Sequence, residues 1–338
     1  MEKIKFGVVG TSGITEWFIK AGKKIDEFEL KAVYSRDIVR AEEFAKKYGA
    51  ELFFNDLEEM SKCNEIDAIY IASPNYKHKE QAIICMNNGK NVLCEKPFAT
   101  NKKEAQEMIK CAKENNVLLM EEMRLTCTPN FKNVKENLNK LGKIRRYSAN
   151  YCQYSSRYDK FKEGIILNAF KKELSNGALM DIGVYCIHTM VNLFGKPKKI
   201  KANAIKLSTG VDGEGSIILE YDDMLVDIRY SKITNSNLPT EIQGEDGSII
   251  IEKMGTFENV RIEYRNGDLE DITGKPEVEK DKKFEVDSIY FAIKEFINSL
   301  KKNKKESEIN TFENTLTVME IMDEVRNQID LVYPADEN

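Results

Sequence analysis

The chain has 338 residues, 41% of them hydrophobic and 32% charged, with a formal net charge of −5. That balance excludes a disordered chain, and the acidic excess leaves no basic footprint, so no nucleic-acid partner is expected. No apolar run reaches the roughly 18 residues of a membrane span, and MEKIKFGVVG enters a strand without a signal-peptide pattern, so a cytoplasmic location without membrane contact is expected.

The length exceeds what one core of about 250–300 residues comfortably fills, so two domains are expected, 1–122 and 123–338. Residues 1–120 alternate short apolar runs with helical periodicity. IKFGVV (4–9) reads as a buried strand and 14–25 as a helix. FELKAVYS (28–35) is a second strand, followed by a helix near 37–48 and a short β-rich ELFF (51–54). DAIYIAS (67–73) is the next strand, and Ser73-Pro74 then reads as a helix start, serine capping and proline in the first turn. NVLCE (91–95), a helix at 101–115 and VLLM (117–120) complete the series. Such alternation predicts an α/β doubly wound parallel sheet. Beyond residue 122 the rhythm changes. Helical periodicity at 130–139 leads to a long strand, 144–155, then a helix near 176–194. Residues 199–265 read as several strands separated by turns such as Asp212-Gly213 and Asp246-Gly247. Two amphipathic helices, 286–302 and 309–330, close an α+β domain with a mostly antiparallel sheet. Lys301, Lys302, Lys304 and Lys305, and Lys280, Lys282 and Lys283, sit among acids and read as solvated surface. The seven cysteines form no CxxC pair or zinc spacing, and His78 and His188 lie far apart, so no metal is expected. Reduced, mostly buried thiols are expected instead.

The chemistry-bearing residues cluster at strand ends. GVVGTSGIT (7–15) follows the first strand and opens a helix. There Gly10, Thr11, Ser12, Gly13 and Ile14 can bring backbone N–H groups and a helix N-terminus to a pyrophosphate. The loop departs from GxGxxG, and a plain tight turn is its bland reading. At the end of the second strand stand Ser35 and Arg36. NAD sites usually place an acid here, and NADP sites an arginine for the 2′-phosphate. The pattern therefore favours NADP, while Asp37 keeps NAD open and a surface ion pair with Asp37 or another acid is the bland reading of Arg36. Ala72, Ser73, Pro74, Asn75 and His78 follow the next strand, where ligands of open α/β sheets bind; Asn75 and His78 could reach a ribose. Glu95-Lys96-Pro97 ends the strand NVLCE. A lysine there can hydrogen-bond a substrate oxygen and stabilise alkoxide character, while the glutamate holds a ribose or orients the lysine. In GALMDIGVYCIH (177–188), Asp181 and Tyr185 are spaced to share one helix face, with His188 near it. A tyrosine beside an ammonium can serve as acid or base; a buried aspartate with a packed tyrosine is the structural alternative.

Together GVVGTSGIT, AVYSRD, YIASPNYKH, CEKP and NGALMDIGVY followed by GKPKKI resemble the Gfo/Idh/MocA family of NAD(P)-dependent oxidoreductases. GVDGEGSIILEY and EIQGEDGSIIIE resemble its C-terminal sheet, and the likeness spans essentially the whole chain. It implies a Rossmann domain, a substrate domain with an open sheet, and a homodimer or homotetramer formed through that sheet. Many members carry histidine four residues after the aspartate; Tyr185 here resembles trans-dihydrodiol dehydrogenases and glucose–fructose oxidoreductases. By this likeness Lys96, Asp181 and Tyr185 are catalytic: Tyr185 the acid/base, Lys96 tuning it, Asp181 orienting substrate or lysine. The expected reaction is hydride transfer between NADP (or NAD) and a secondary alcohol or carbonyl of a sugar, polyol or cyclic diol. A tightly held cofactor used transiently, or a non-catalytic cofactor-binding sensor, are the rival readings. Substrate specificity is expected from the 152–172 loop, with Arg124, Arg157 and Tyr158 as candidate hydroxyl contacts.

Overall fold

A computed structural model describes residues 3–275 and 286–337. Lys280, Lys282 and Lys283 lie outside the described residues. The chain forms two compact units. The first comprises 1–99, 103–127 and 276–315; the second comprises 100–102, 128–275 and 316–338.

The first unit is built on six strands: β1 (Ile4–Val9), β2 (Phe28–Tyr34), β3 (Leu52–Phe54), β4 (Ala68–Ile71), β5 (Asn91–Glu95) and β6 (Leu119–Glu122). All pair in parallel, in the order β3-β2-β1-β4-β5-β6. The strand order reverses between β1 and β4, which opens a crevice outside their carboxyl ends. The intervening helices are α1 (Gly13–Gly22), α2 (Ile38–Tyr48), α3 (Leu57–Lys62), α4 (His78–Asn87) and α5 (Lys102–Glu114). The strands are mostly apolar because helices cover both faces, with charged residues such as Lys31, Glu95, Glu121 and Glu122 as exceptions. Phe6 stacks on Phe28 at 4.9 Å, and Phe18 on Tyr70 at 3.7 Å between ring centroids. Phe296 joins this cluster from a helix far along the chain, Val286–Lys301.

Two local expectations are corrected here. Ser73 does not cap a helix: a 3₁₀ turn at Asn75–Lys77 intervenes, and the buried Ser73 hydroxyl has no hydrogen-bond partner. Pro74 itself is extended, with ψ 143°, so no helix begins there and α4 starts only at His78. The last strand is β6 at 119–122 rather than 117–120, because its parallel pairing with β5 runs from Leu119 to Glu122, whose acids Glu121 and Glu122 are buried despite their charge.

The second unit holds eight strands: β7 (Ile144–Cys152), β8 (Lys199–Lys206), β9 (Asp212–Glu220), β10 (Leu225–Ser231), β11 (Thr240–Gly244), β12 (Gly247–Lys253), β13 (Glu258–Tyr264) and β14 (Leu269–Asp271). Their order is β14-β13-β12-β11-β7-β10-β9-β8, antiparallel except for the β7–β10 pair. Also in this unit are α6 (Pro129–Asn137), the short α7 (Tyr158–Lys162), α8 (Val184–Phe194) and α10 (Phe312–Gln328), whose first residues reach back into the first unit's chain range; the helix Val286–Lys301 is α9. The helix expected at 176–194 is interrupted. Leu179–Gly183 form a π-turn before α8 begins. Contrary to the expectation that no run is long and apolar enough, Lys172–Phe194 passes by length and composition as able to cross a membrane; 83% of its most apolar window is buried, as in a core helix.

Candidate active site

The glycine-rich turn joins β1 to α1. Gly10 has φ +107°, and a Cβ there would stand 2.8 Å from the Ala72 carbonyl oxygen. Only glycine lets the loops after β1 and β4 touch in this way. Gly13 differs: nothing lies within 4 Å of a Cβ at that position. Ser12 makes no side-chain cap, so the first N–H groups of α1 are left for another acceptor. A close-packed turn leading to an uncapped helix N-terminus fits a pyrophosphate. The loop is anchored from α2, where Arg40 donates to the Thr11 carbonyl at 3.3 Å.

At the end of β2, Asp37 accepts from the backbone N–H groups of Val39 at 3.0 Å and Arg40 at 3.3 Å. This carboxylate is the N-cap of α2. Ser35 is half-buried, and Arg36 is exposed without an ion pair or hydrogen bond among the described residues. After β4, Ser73, Pro74 and Asn75 are half-buried along the loop. His78 is fully buried; its Nδ1 lies 3.0 Å from the Pro97 carbonyl and its Nε2 3.0 Å from that of Ser73. Burial lowers its pKa. Its ring therefore braces the loops after β4 and β5 and does not reach outward, contrary to the expected ribose contact.

Glu95, at the end of β5, is buried and accepts from the Tyr70 phenol at 2.5 Å. Its pKa is raised by burial, opposed chiefly by the Lys96 ammonium. In the register of the sheet Glu95 stands beside Glu122, whose carboxyl is pushed well up by burial and by Glu95. Lys96 itself is half-buried and followed by a cis Lys96-Pro97 peptide. Arg124, a candidate for substrate hydroxyls, is 5% exposed and electrostatically tied to Glu95 and Glu122. Neither Tyr70 nor Glu122 was singled out from sequence. The legible signal was an acid within an otherwise apolar strand.

In the second unit Asp181 belongs to the π-turn, so its spacing from Tyr185 is not that of a regular α-helix. Its carboxylate is ion-paired with Lys232. The turn is held from beneath by Asp212, whose Oδ2 accepts from the Leu179 N–H at 2.6 Å. Asp212 is fully buried, and burial raises its pKa to about 6. Tyr185 is 5% exposed, and its ring packs 5.8 Å from that of Tyr151. His188 is fully buried in α8. In the 152–172 segment, Tyr158 spends its ring on Phe161 and Phe170 at 5.7 Å each, while Arg157 is exposed. Lys232 went unread, although Val226, Ile228 and Tyr230 all point inward and Lys232 continues their period of two.

A parallel sheet with a glycine-tight first turn, an uncapped helix N-terminus and a lysine at a strand end defines a dinucleotide-dependent oxidoreductase. The chain belongs to the Gfo/Idh/MocA family: residues 4–123 match its oxidoreductase family, NAD-binding Rossmann fold, model, and residues 133–250 match the GFO/IDH/MocA C-terminal domain. It is 53% identical to scyllo-inositol 2-dehydrogenase (NADP(+)) IolU of Bacillus subtilis (strain 168), over 99% of both chains. It is 29% identical to trans-1,2-dihydrobenzene-1,2-diol dehydrogenase of Mus musculus, over 98% of this chain and 99% of that one. The fold matches levoglucosan dehydrogenase in complex with NADH, at a TM-score of 0.86 and 18% identity over 97% of both chains. The protein is an NAD(P)-dependent dehydrogenase or reductase acting on CH–OH groups.

Proposed function

We propose that the protein interconverts a secondary alcohol and its ketone on a cyclic polyol, sugar or diol, with NADP(H) as the redox partner. The carrying observation is at the end of β2, where the acid that follows Arg36 in sequence, Asp37, is engaged as a helix cap. That leaves Arg36, exposed and without an ion partner among the described residues, for a 2′-phosphate. The NADP(+)-linked inositol dehydrogenase at 53% identity supports both the cofactor and the substrate class.

Gly10, Thr11, Ser12, Gly13 and Ile14 would hold the pyrophosphate. Ser35 and Arg36 would hold the adenosine ribose and its phosphate, and Ala72, Ser73, Pro74, Asn75 and Glu95 the remainder of the dinucleotide. We assign the dinucleotide to residues 1–122 and the substrate to 123–338. When bound, the nicotinamide accepts or donates the hydride. In the reduction direction Tyr185 donates its phenolic proton to the substrate oxygen; in oxidation its phenolate takes the proton back. Lys96 stabilises alkoxide character on that oxygen, and Asp181 orients the substrate.

The reading extends to a cytoplasmic enzyme, which all seven cysteines being free supports. It also extends to a homo-oligomer formed through the second sheet, where Ile205, Ile218 and Leu225 are 57%, 49% and 45% exposed. Light scattering that found only monomer would remove the oligomer from the reading.

Calorimetric titration with NADPH and NADH side by side, followed by turnover on inositols, sugars and diols, tests the proposal. Tight NADPH binding with inositol oxidation is expected. A preference for NADH sinks the Arg36 assignment, and turnover confined to acyclic alcohols sinks the substrate class.

A further inference from the structure

Lysine is almost never fully buried without a reason, because removing its charge from water is costly. The side chain of Lys232 is 5% exposed, whereas its ion-pair partner Asp181 is 36% exposed. The ammonium thus sits on the inside and the carboxylate nearer solvent. Lys232 occupies a fixed place. Its backbone N–H donates to the Gly213 carbonyl at 2.9 Å, and its carbonyl accepts from Ser155 at 2.9 Å. Its ammonium lies 5.7 Å from the centroid of the fully buried Phe170 ring. Asp181, by contrast, stands in a π-turn, a geometry less regular than an α-helix and frequent at functional sites. Asp212 fixes the backbone of that turn at Leu179, and Lys232 takes the side chain of Asp181.

A buried ion pair is a weak source of stability, and an apolar residue of similar volume often serves folding equally well. What an ammonium supplies, and a methionine would not, is a fixed direction for the carboxylate. We propose that Lys232 is a positioning residue for the reaction, holding the Asp181 carboxylate where it meets the substrate. The inference rests on the assignment of Asp181 given above. Lys232 acts through Asp181 and takes no proton itself.

The test compares Lys232→Met, Lys232→Arg, Asp181→Asn and the double variant Asp181→Asn/Lys232→Met, each assayed as the full-length enzyme. Lys232→Met should lower kcat by roughly 10- to 100-fold while leaving NADPH affinity unchanged, and Lys232→Arg should recover most of the loss. Asp181→Asn and the double variant should turn over equally, within about 2-fold, because one interaction is lost in both. Unchanged kcat in Lys232→Met, or losses that multiply in the double variant, would overturn the proposal. If Asp181→Asn keeps full kcat, the assignment of Asp181 fails; a remaining loss in Lys232→Met would then show Lys232 acting by another route, which also overturns the proposal. Should Lys232→Met not fold, by circular dichroism, the same cycle is run with Lys232→Gln, which keeps much of the length and the polarity of the side chain and removes its charge. Equal rates with and without it on the Asp181→Asn background support the proposal, and unequal rates overturn it.

Discussion

At the scale of single residues, the site depends on where each polar group is already engaged. Asp37 is the clearest case: its position suited a ribose, but its oxygen is bonded to the start of α2. Arg36→Ala should therefore weaken NADPH binding about 10-fold or more, the loss of a charge-assisted contact, and leave NADH binding unchanged; equal weakening of both would place Arg36 elsewhere. Lys96→Ala should cost on the order of 10²–10³ in kcat, as for removal of a donor to a developing oxyanion, with the fold intact by circular dichroism. Near-normal turnover would return Lys96 to the surface-lysine reading. Asp212 carries a pH signature. Its folded-state pKa is raised from 3.8 to about 6, so between those values the folded protein binds a proton that the unfolded chain releases. Stability therefore falls as pH rises across that interval, by about 3 kcal/mol, and stays lowered above it. Asp212→Asn keeps an acceptor for Leu179 and removes the titration. Its stability relative to wild type should climb from pH 4 to pH 6 and then level off in urea denaturation. A constant difference would mean that Asp212 is not raised.

At the scale of elements, the β1–α1 turn separates two glycines that look alike in sequence. Gly10 sits at positive φ against the Ala72 carbonyl, while Gly13 faces open space. Gly10→Ala should abolish dinucleotide binding and lower the melting temperature, because the loops after β1 and β4 must part. Gly13→Ala should be neutral or stabilising by about 0.4–1 kcal/mol through the unfolded chain. Comparable losses in both would mean that the turn is not shaped by its contact with β4. The interrupted helix at 176–194 makes the same point. Apolar periodicity located it, but periodicity does not register a π-turn; Asp212 accepts from the Leu179 N–H there, and a Cβ at Gly183 would stand 3.2 Å from the Tyr230 ring.

At the scale of the whole molecule, the first unit is not a continuous segment. Helix α9 adds Ile289, Ile293, Phe296 and Ile297 to a core that otherwise comes from the first 120 residues. A fragment of residues 1–127 would expose that apolar face. It should bind a hydrophobic dye and melt without cooperativity. A fragment with a sharp transition would show that α9 is dispensable. Phe296→Ala in the full chain should cost about 3–5 kcal/mol, the usual range for an emptied aromatic site.

Much of this protein was determined by the sequence alone. Alternating short apolar runs with helical spacing specify a parallel sheet, because strands buried on both faces must be mostly apolar. Glycine at position 10 and the lysine of Glu95-Lys96-Pro97 were legible because their positions relative to strands restrict what they can do. Tertiary structure decided the rest. That His78 braces the loops after β4 and β5, that Glu122 lies beside Glu95 and that Lys232 meets Asp181 all depend on which segments the fold brings together, whereas the cap made by Asp37 is local, to residues two and three further on. Sequence periodicity reports which way a side chain faces, while the charge and hydrogen-bond partners it finds there come from segments tens of residues away.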